Sequence, residues 1–333
     1  MDFKAQFLTE LQEQRRSNSG QGIGRKSSIL DPSRAKEQRR QRGLAETWPL
    51  SAEDTSAIFA SLGPEAVSEY GCRFFCKMLR RIMLLAAAYP AYCDALKLAL
   101  QGLAATCATD HNIAQEVAVH HGEVLLEMLQ GFRSNPVIAA AVAEAIASLL
   151  WVQPARAALV KLRTLLHELR DLLARFRDDM PVMRACALCF AHFATVDVPT
   201  AALVVEMEVV KDVCEVMMES WAAKQDTIAS ARALRLITSV LSCPQGLREV
   251  ERCDGIHIVI FALGLHNSSA DVASWGIAAV HVALKRNMDL RQQAGSINVD
   301  YYIGGHPNVP HLQTLGETVK KQIADMSSNY AMP

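Results

Sequence analysis

Five alanine-rich segments recur along the chain at a nearly constant interval: LALQGLA from Leu98, EAIASLL from Glu144, CALCFAH from Cys186, RALRLIT from Arg232 and WGIAAVH from Trp275, spaced 46, 42, 46 and 43 residues apart. Each follows a short lead-in, an apolar stretch of the VLLEMLQ or IVIFALG type, and a polar turn. From about residue 55 to 326 apolar residues fall at three- and four-residue spacing with hardly any alternation of period two, so the units are helical. In LRTLLHELRDLLARF, leucines 162, 165, 166, 169, 172 and 173 fall on one greasy face. A unit of this size made only of helices cannot bury such a face alone, but stacked on its neighbours it contributes to one continuous core. The expectation is an all-α, right-handed α-solenoid.

The repeats extend over residues 46–295, about five of them. Residues 296–333 read as a loop, a capping helix and a tail. In HLQTLGETVKKQIADM, Leu312, Leu315, Val319 and Ile323 share a face suited to closing the last exposed core. YYIGGHPNVPH before it is expected to be irregular, since it holds two prolines and paired glycines. Residues 1–45 form a head with its own character: its first 44 residues carry 10 Lys/Arg against 5 Asp/Glu, within a chain whose net charge is −1.

CDGIHIVIFALGLHNSSADVASWGIAAVHVALKRNMDLRQQAG, residues 253–295, resembles an armadillo repeat across its whole length: a Gly-Ile start, an apolar helix, a polar turn, and a helix carrying Ala and Trp. HHGEVLLEMLQGFRSNPVIAAAVAEAIASLLW is similar, and the segment from 162 to 250 keeps the rhythm while losing the glycine. The resemblance implies that the last helix of each repeat lines a concave groove, where the family often places a Trp and, four residues on, an Asn. Trp275 falls at the Trp position, but Ala279, Gly102, Ser148, Phe190 and Leu236 stand at the Asn positions. Nuclear-import adaptors hold an extended peptide backbone with those asparagines, so the resemblance points away from that role and toward a helical or folded partner.

On this reading the chain is a non-enzymatic adaptor, with Glu144, Phe190, Arg232 and Trp275 as groove anchors for protein partners. Family members of this size include cytoskeletal and flagellar scaffolds. The alternative class is the nucleotide-exchange co-chaperones, which CPQGLREVERCDG faintly resembles. In the head, Arg39, Arg40 and Arg42 offer an auxiliary basic contact. Ser27 and Ser28, behind Arg25 and Lys26, fit a basophilic kinase site. Phe3, Phe7, Leu8 and Leu11 share one face of a potential docking helix, and GQGIG at 20–24 reads as a linker, having no strand before it.

No signature of catalysis, cofactor binding or a small-molecule substrate is present. Aromatics at 6% and the absence of a recognition-helix pattern disfavour nucleic acid. Cys186, Cys189 and His192 lie three apart, a spacing that could suggest zinc, yet no second ligand pair is near in sequence and buried thiols fit the apolar helix better. The same holds for Cys72 and Cys76, whose helix adds Arg73, Lys77, Arg80 and Arg81 as a basic edge. His120 and His121 are expected at a turn before Gly122. Nine cysteines and a start without a secretory core fit the reducing cytoplasm or nucleus. VIAAAVAEAIASLLWV is too short to span a bilayer and is interrupted by Glu144.

Overall fold

The computed structural model describes residues 50–62, 67, 71–286 and 297–330. Arg39, Arg40, Arg42, Ser27, Ser28, the Phe3, Phe7, Leu8 and Leu11 face, and the GQGIG linker lie outside the described residues. All regular structure among the described residues is helical, and no helix among them is long and apolar enough to cross a membrane.

The described residues divide into two compact units, one up to Thr106 and one from Cys107 on. The first contains α1 (Ala52–Leu62), α2 (Cys72–Ala88), a single 3-10 turn (Pro90–Tyr92) and most of α3 (Cys93–Thr109). Phe59 meets Phe75 edge to face, with centroids 6.1 Å apart. The Tyr92 hydroxyl donates to the Leu50 carbonyl at 3.0 Å. On α2, Cys72 and Cys76 are buried while Arg73, Lys77 and Arg80 are exposed, so the basic edge is a solvated helix face.

The second unit opens with the hairpin α4 (His111–Gly131) and α5 (Pro136–Leu149). Three-helix repeats follow. The first is α6 (Gln153–Val160), α7 (Arg163–Arg175) and α8 (Met180–Phe193). The second is α9 (Val198–Glu206), α10 (Val209–Glu219), a short α11 (Trp221–Gln225) and α12 (Thr227–Val240). The third is α13 (Pro244–Arg252), α14 (Gly255–Leu265) and α15 (Ala270–Arg286). Helices α16 (Val299–Gly304) and α17 (Pro310–Tyr330) end the unit.

The sequence punctuates these repeats consistently. Each three-helix repeat begins with a proline in the first turn, Pro154, Pro199 and Pro244, where a missing N–H costs nothing. The long last helices start at side-chain caps: Asn135, Asp179 and Asp226 accept hydrogen bonds from the amides of Ile138, Val182 and Ala229. In the second and third repeats the first helix turns into the next through a left-handed residue, Glu208 (φ 58°) and Asp254 (φ 55°).

Helices α5, α8, α12, α15 and α17 pack one on the next as a continuous row, with α7, α10 and α14 layered behind it. The core runs along the seam between the layers. Leu165, Leu166, Leu169, Leu172 and Leu173 of α7 are all buried there, each worth about 1.5–3 kcal/mol over an exposed leucine. On α17, Leu312 and Val319 are fully buried and Leu315 and Ile323 half-buried, and the helix packs on α15.

Two local expectations are corrected. His120 and His121 lie inside α4 rather than at a turn, because Gly122 marks a close helix approach: a Cβ there would stand 2.9 Å from Leu159 Cδ2. Tyr301 and Tyr302 belong to α16 rather than to an irregular loop, since Asn298 caps that short helix by accepting from the Tyr301 amide.

Candidate functional site

Helical geometry leaves one stripe of the row uncovered by the second layer. On α5 this stripe holds the half-buried Ala141, Glu144 and Ser148, and just past the helix it reaches Trp151, which is 53% exposed. On α12 it holds Arg232, Arg235 and Thr238, and on α15 Ser274, Trp275 and Ala278, all half-buried. Three of the four sequence-derived anchors, Glu144, Arg232 and Trp275, therefore share a face. Phe190 does not. It is wholly enclosed in the core and offers nothing to a partner, so its assignment is corrected to a packing role.

The register of the Trp motif is corrected with it. Ala279 and Leu236 are also fully buried, and from Trp275 the uncovered stripe of α15 passes through Ala278 rather than Ala279. A helix at 3.6 residues per turn returns to a face after three or four residues, and here the return comes at three. None of the uncovered positions named on α5, α12 and α15 is an asparagine.

Two straps cross α8. In the first, Arg232 donates from both terminal nitrogens to the Glu144 carboxylate, at 2.6 and 2.5 Å, a bidentate pair joining α12 to α5. In the second, the Arg235 guanidinium lies over two indoles, 4.1 Å from the Trp151 centroid and 4.8 Å from that of Trp275. Thr238 adds a hydroxyl donated to the Trp275 carbonyl at 3.2 Å, fixing α15 against α12. Arg184 on α8 pairs with Asp226, whose other oxygen caps α12.

Beneath the second strap sits His192, 1% exposed, its ring 4.9 Å from that of Trp151 and inclined at 68°. Arg235 Nη2 stands 3.4 Å from His192 Nδ1 and donates to it, which requires a neutral imidazole. Burial, reinforced by the Arg235, Arg156 and Arg232 charges, pushes the His192 pKa down to about 3. Burial together with Arg156 and Arg232 lowers that of Arg235 to about 10. Arg156 reaches the edge of the cluster, where its Nη1 donates to the Thr195 hydroxyl at 2.5 Å. A cavity of about 440 Å³ opens alongside, lined by Thr195, Asp197, Val198, Arg235, Ser242 and Trp275 among others.

The spacing that hinted at zinc has another use. Cys189 Sγ donates to the Ala143 carbonyl at 3.2 Å and Cys186 Sγ to that of Leu169 at 3.7 Å. Complete burial drives both thiols well above the ordinary cysteine range, so the thiolate that a metal needs is strongly disfavoured.

Trp151, Arg235 and Arg156 were missed by sequence reasoning. The signal was there in part: Trp151 lies seven residues beyond Glu144 and Arg235 three beyond Arg232, both on the same helical stripe as their predecessors.

No protein-family model and no curated protein matches the sequence. Solved structures match in fold. An engineered protein superposes with a TM-score of 0.57 at 16% identity, over 74% of this chain and 96% of its own. A designed armadillo repeat protein gives 0.54 at 12% identity, over 74% and 99%. Another designed armadillo repeat protein, in complex with the peptide (KR)4, gives 0.54 at 15% identity, over 74% and 99%. The fold is thus an armadillo-like α-solenoid, as the three-helix units already indicate.

Proposed function

We propose that the chain is a non-enzymatic scaffold that holds a protein partner against the stripe formed by Glu144, Trp151, Arg232, Arg235 and Trp275. The observation that carries this reading is Trp151: a large aromatic left 53% exposed, resting on an arginine, beside a cavity of about 440 Å³. Exposed aromatic and arginine side chains on a rigid support are the usual anchors of protein interfaces. That the side chains of α5 and α12 meet across α8 supports taking this face as the concave one. The titratable groups of the cluster support a binding role over catalysis, since His192 is held neutral out of solvent and Asp197 is spent capping α9.

The resemblance places such a scaffold in a cytoskeletal or flagellar setting, and nine cysteines suit the cytoplasm or nucleus. The test is affinity capture from lysate with the intact chain beside Trp151→Ala and Trp275→Ala variants matched for folding by circular dichroism. A partner held by the intact chain and lost from both variants supports the reading. Partners retained by both variants overturn it, and ATP-sensitive capture of a heat-shock chaperone would instead make the chain a nucleotide-exchange co-chaperone.

A further inference from the structure

The arginines of this cluster are unevenly balanced. Arg232 takes both oxygens of Glu144, and Arg184 is engaged with Asp226. Arg156 and Arg235 have no ion-pair partner among the described residues; one donates to the Thr195 hydroxyl and the other to His192. Arg156 Nε is buried without a hydrogen-bond acceptor. The acid in the cavity lining, Asp197, accepts from the Thr200 amide at 2.7 Å, and its bonds to Thr200 hold its carboxyl below the usual range. Arg235 therefore lines the cavity and Arg156 reaches its Thr195 wall, two guanidiniums without an ion-pair partner beside the single carboxylate of Asp197.

We propose that the partner segment seated here is acidic, a peptide whose Asp or Glu carboxylates dock against Arg235 and Arg156 while its apolar flank covers Trp151 and Val198. This deepens the scaffold reading and rests on it. The slot between the two indoles is already filled by Arg235, so a lysine or arginine from a partner finds no empty aromatic cage and meets the two unpaired guanidiniums of Arg235 and Arg156 against the one carboxylate of Asp197. The designed armadillo repeat protein that superposes on this chain is in complex with a peptide of the opposite charge, (KR)4. Burial first and then the repulsion of Arg156 and Arg232 lower the Arg235 pKa; an arriving anion relieves the repulsion, and a bidentate carboxylate suits a guanidinium held flat by stacking. The chain's own basic head is disfavoured at this seat by the same charge argument.

The test uses the full chain and three fluorescein-labelled octapeptides, (DE)4, (KR)4 and (SG)4, followed by anisotropy at low and high salt. The expected result is that (DE)4 binds at least about tenfold more tightly than either other peptide and weakens with salt. Arg235→Gln and Arg156→Gln should each weaken it by about tenfold, while Arg235→Lys, which keeps the charge but loses the stacked fork, falls short of the parent by less than Arg235→Gln does, and Arg248→Gln, on the exposed face of α13, changes nothing. Failure of (DE)4 to bind, or binding indifferent to Arg235→Gln and Arg156→Gln in variants that melt like the parent, overturns the proposal. Tight (KR)4 binding that Trp151→Ala and Trp275→Ala abolish would overturn the acidic preference and leave the scaffold reading standing. Peptide binding that ignores both tryptophans would overturn the two together.

Discussion

Arg232 and Glu144, 88 residues apart in sequence, form a two-pronged ion pair that passes over a helix belonging to neither of them. The pair locks next-nearest helices of the row, so it restrains the relative tilt of the opening hairpin and the second repeat across the first, rather than the packing of one unit. Its side chains are partly solvated, 20% exposed for Arg232 and 40% for Glu144, which places its contribution nearer that of a surface pair than a buried one. A double-mutant cycle with Glu144→Ala and Arg232→Ala should give a coupling of about 1 kcal/mol, shrinking in high salt. A coupling indistinguishable from zero at low salt would show that the strap does not restrain the folded chain.

His192 makes stability depend on acidity. In the unfolded chain an ordinary histidine takes a proton near pH 6.5, while in the folded chain this one resists until about pH 3. Between those values the unfolded state binds the extra proton, so stability falls as pH falls, by about 1.4 kcal/mol per unit at most. Denaturant melts at pH 6.5 and 4.5 should show the parent losing roughly 2 kcal/mol more than His192→Gln, which has nothing to protonate. Equal losses in the two proteins would mean that the imidazole is already charged in the fold.

The repeat architecture was legible because the alanine-rich helices recur in register and their small residues are what the close row of α5, α8, α12 and α15 requires. That Glu144, Arg232 and Trp275 share one uncovered face was legible for the same reason, each standing at an equivalent point of an amphipathic helix. Phe190 was misplaced because α8 is enclosed on every side: all ten residues from Ala185 to Ala194 are buried, the straps included among their covers. A helix that is apolar all round carries no face in its sequence. The stack of Arg235 between Trp151 and Trp275 was invisible for a different reason, since it joins three repeats and local spacing reports only one.

Two glycines separate close approach from idle space. A Cβ on Gly246 would stand 1.9 Å from the Val240 carbonyl oxygen, a backbone atom that cannot swing aside. Gly246→Ala should cost about 3 kcal/mol, the range of serious overpacking. At Gly131, the last residue of α4, a Cβ would meet nothing within 4 Å, and alanine there should stabilise by about 0.5 kcal/mol through helix propensity. Thermal melts of the two variants should shift in opposite directions; a Gly246→Ala protein as stable as the parent would mean that the turn from α12 into α13 is looser than described.

The thiols give a chemical readout of the same packing. Seven of the nine cysteines are buried and only Cys93 and Cys253 are half-exposed. Reaction with a disulfide reagent needs a thiolate and a path to it, and complete burial denies both to Cys186 and Cys189. Burial, followed by the nearby Asp94 charge, also raises the Cys93 pKa, which slows that thiol. The native chain should therefore release thiol equivalents only from Cys253 and Cys93, with the other seven reacting only after unfolding in guanidinium. Helix α8 should likewise hold no zinc, because its sulfurs are already committed to the carbonyls of Ala143 and Leu169. Rapid modification of Cys186 or Cys189 in the folded chain, or one zinc per chain that vanishes in Cys189→Ala, would reopen α8 as a metal site.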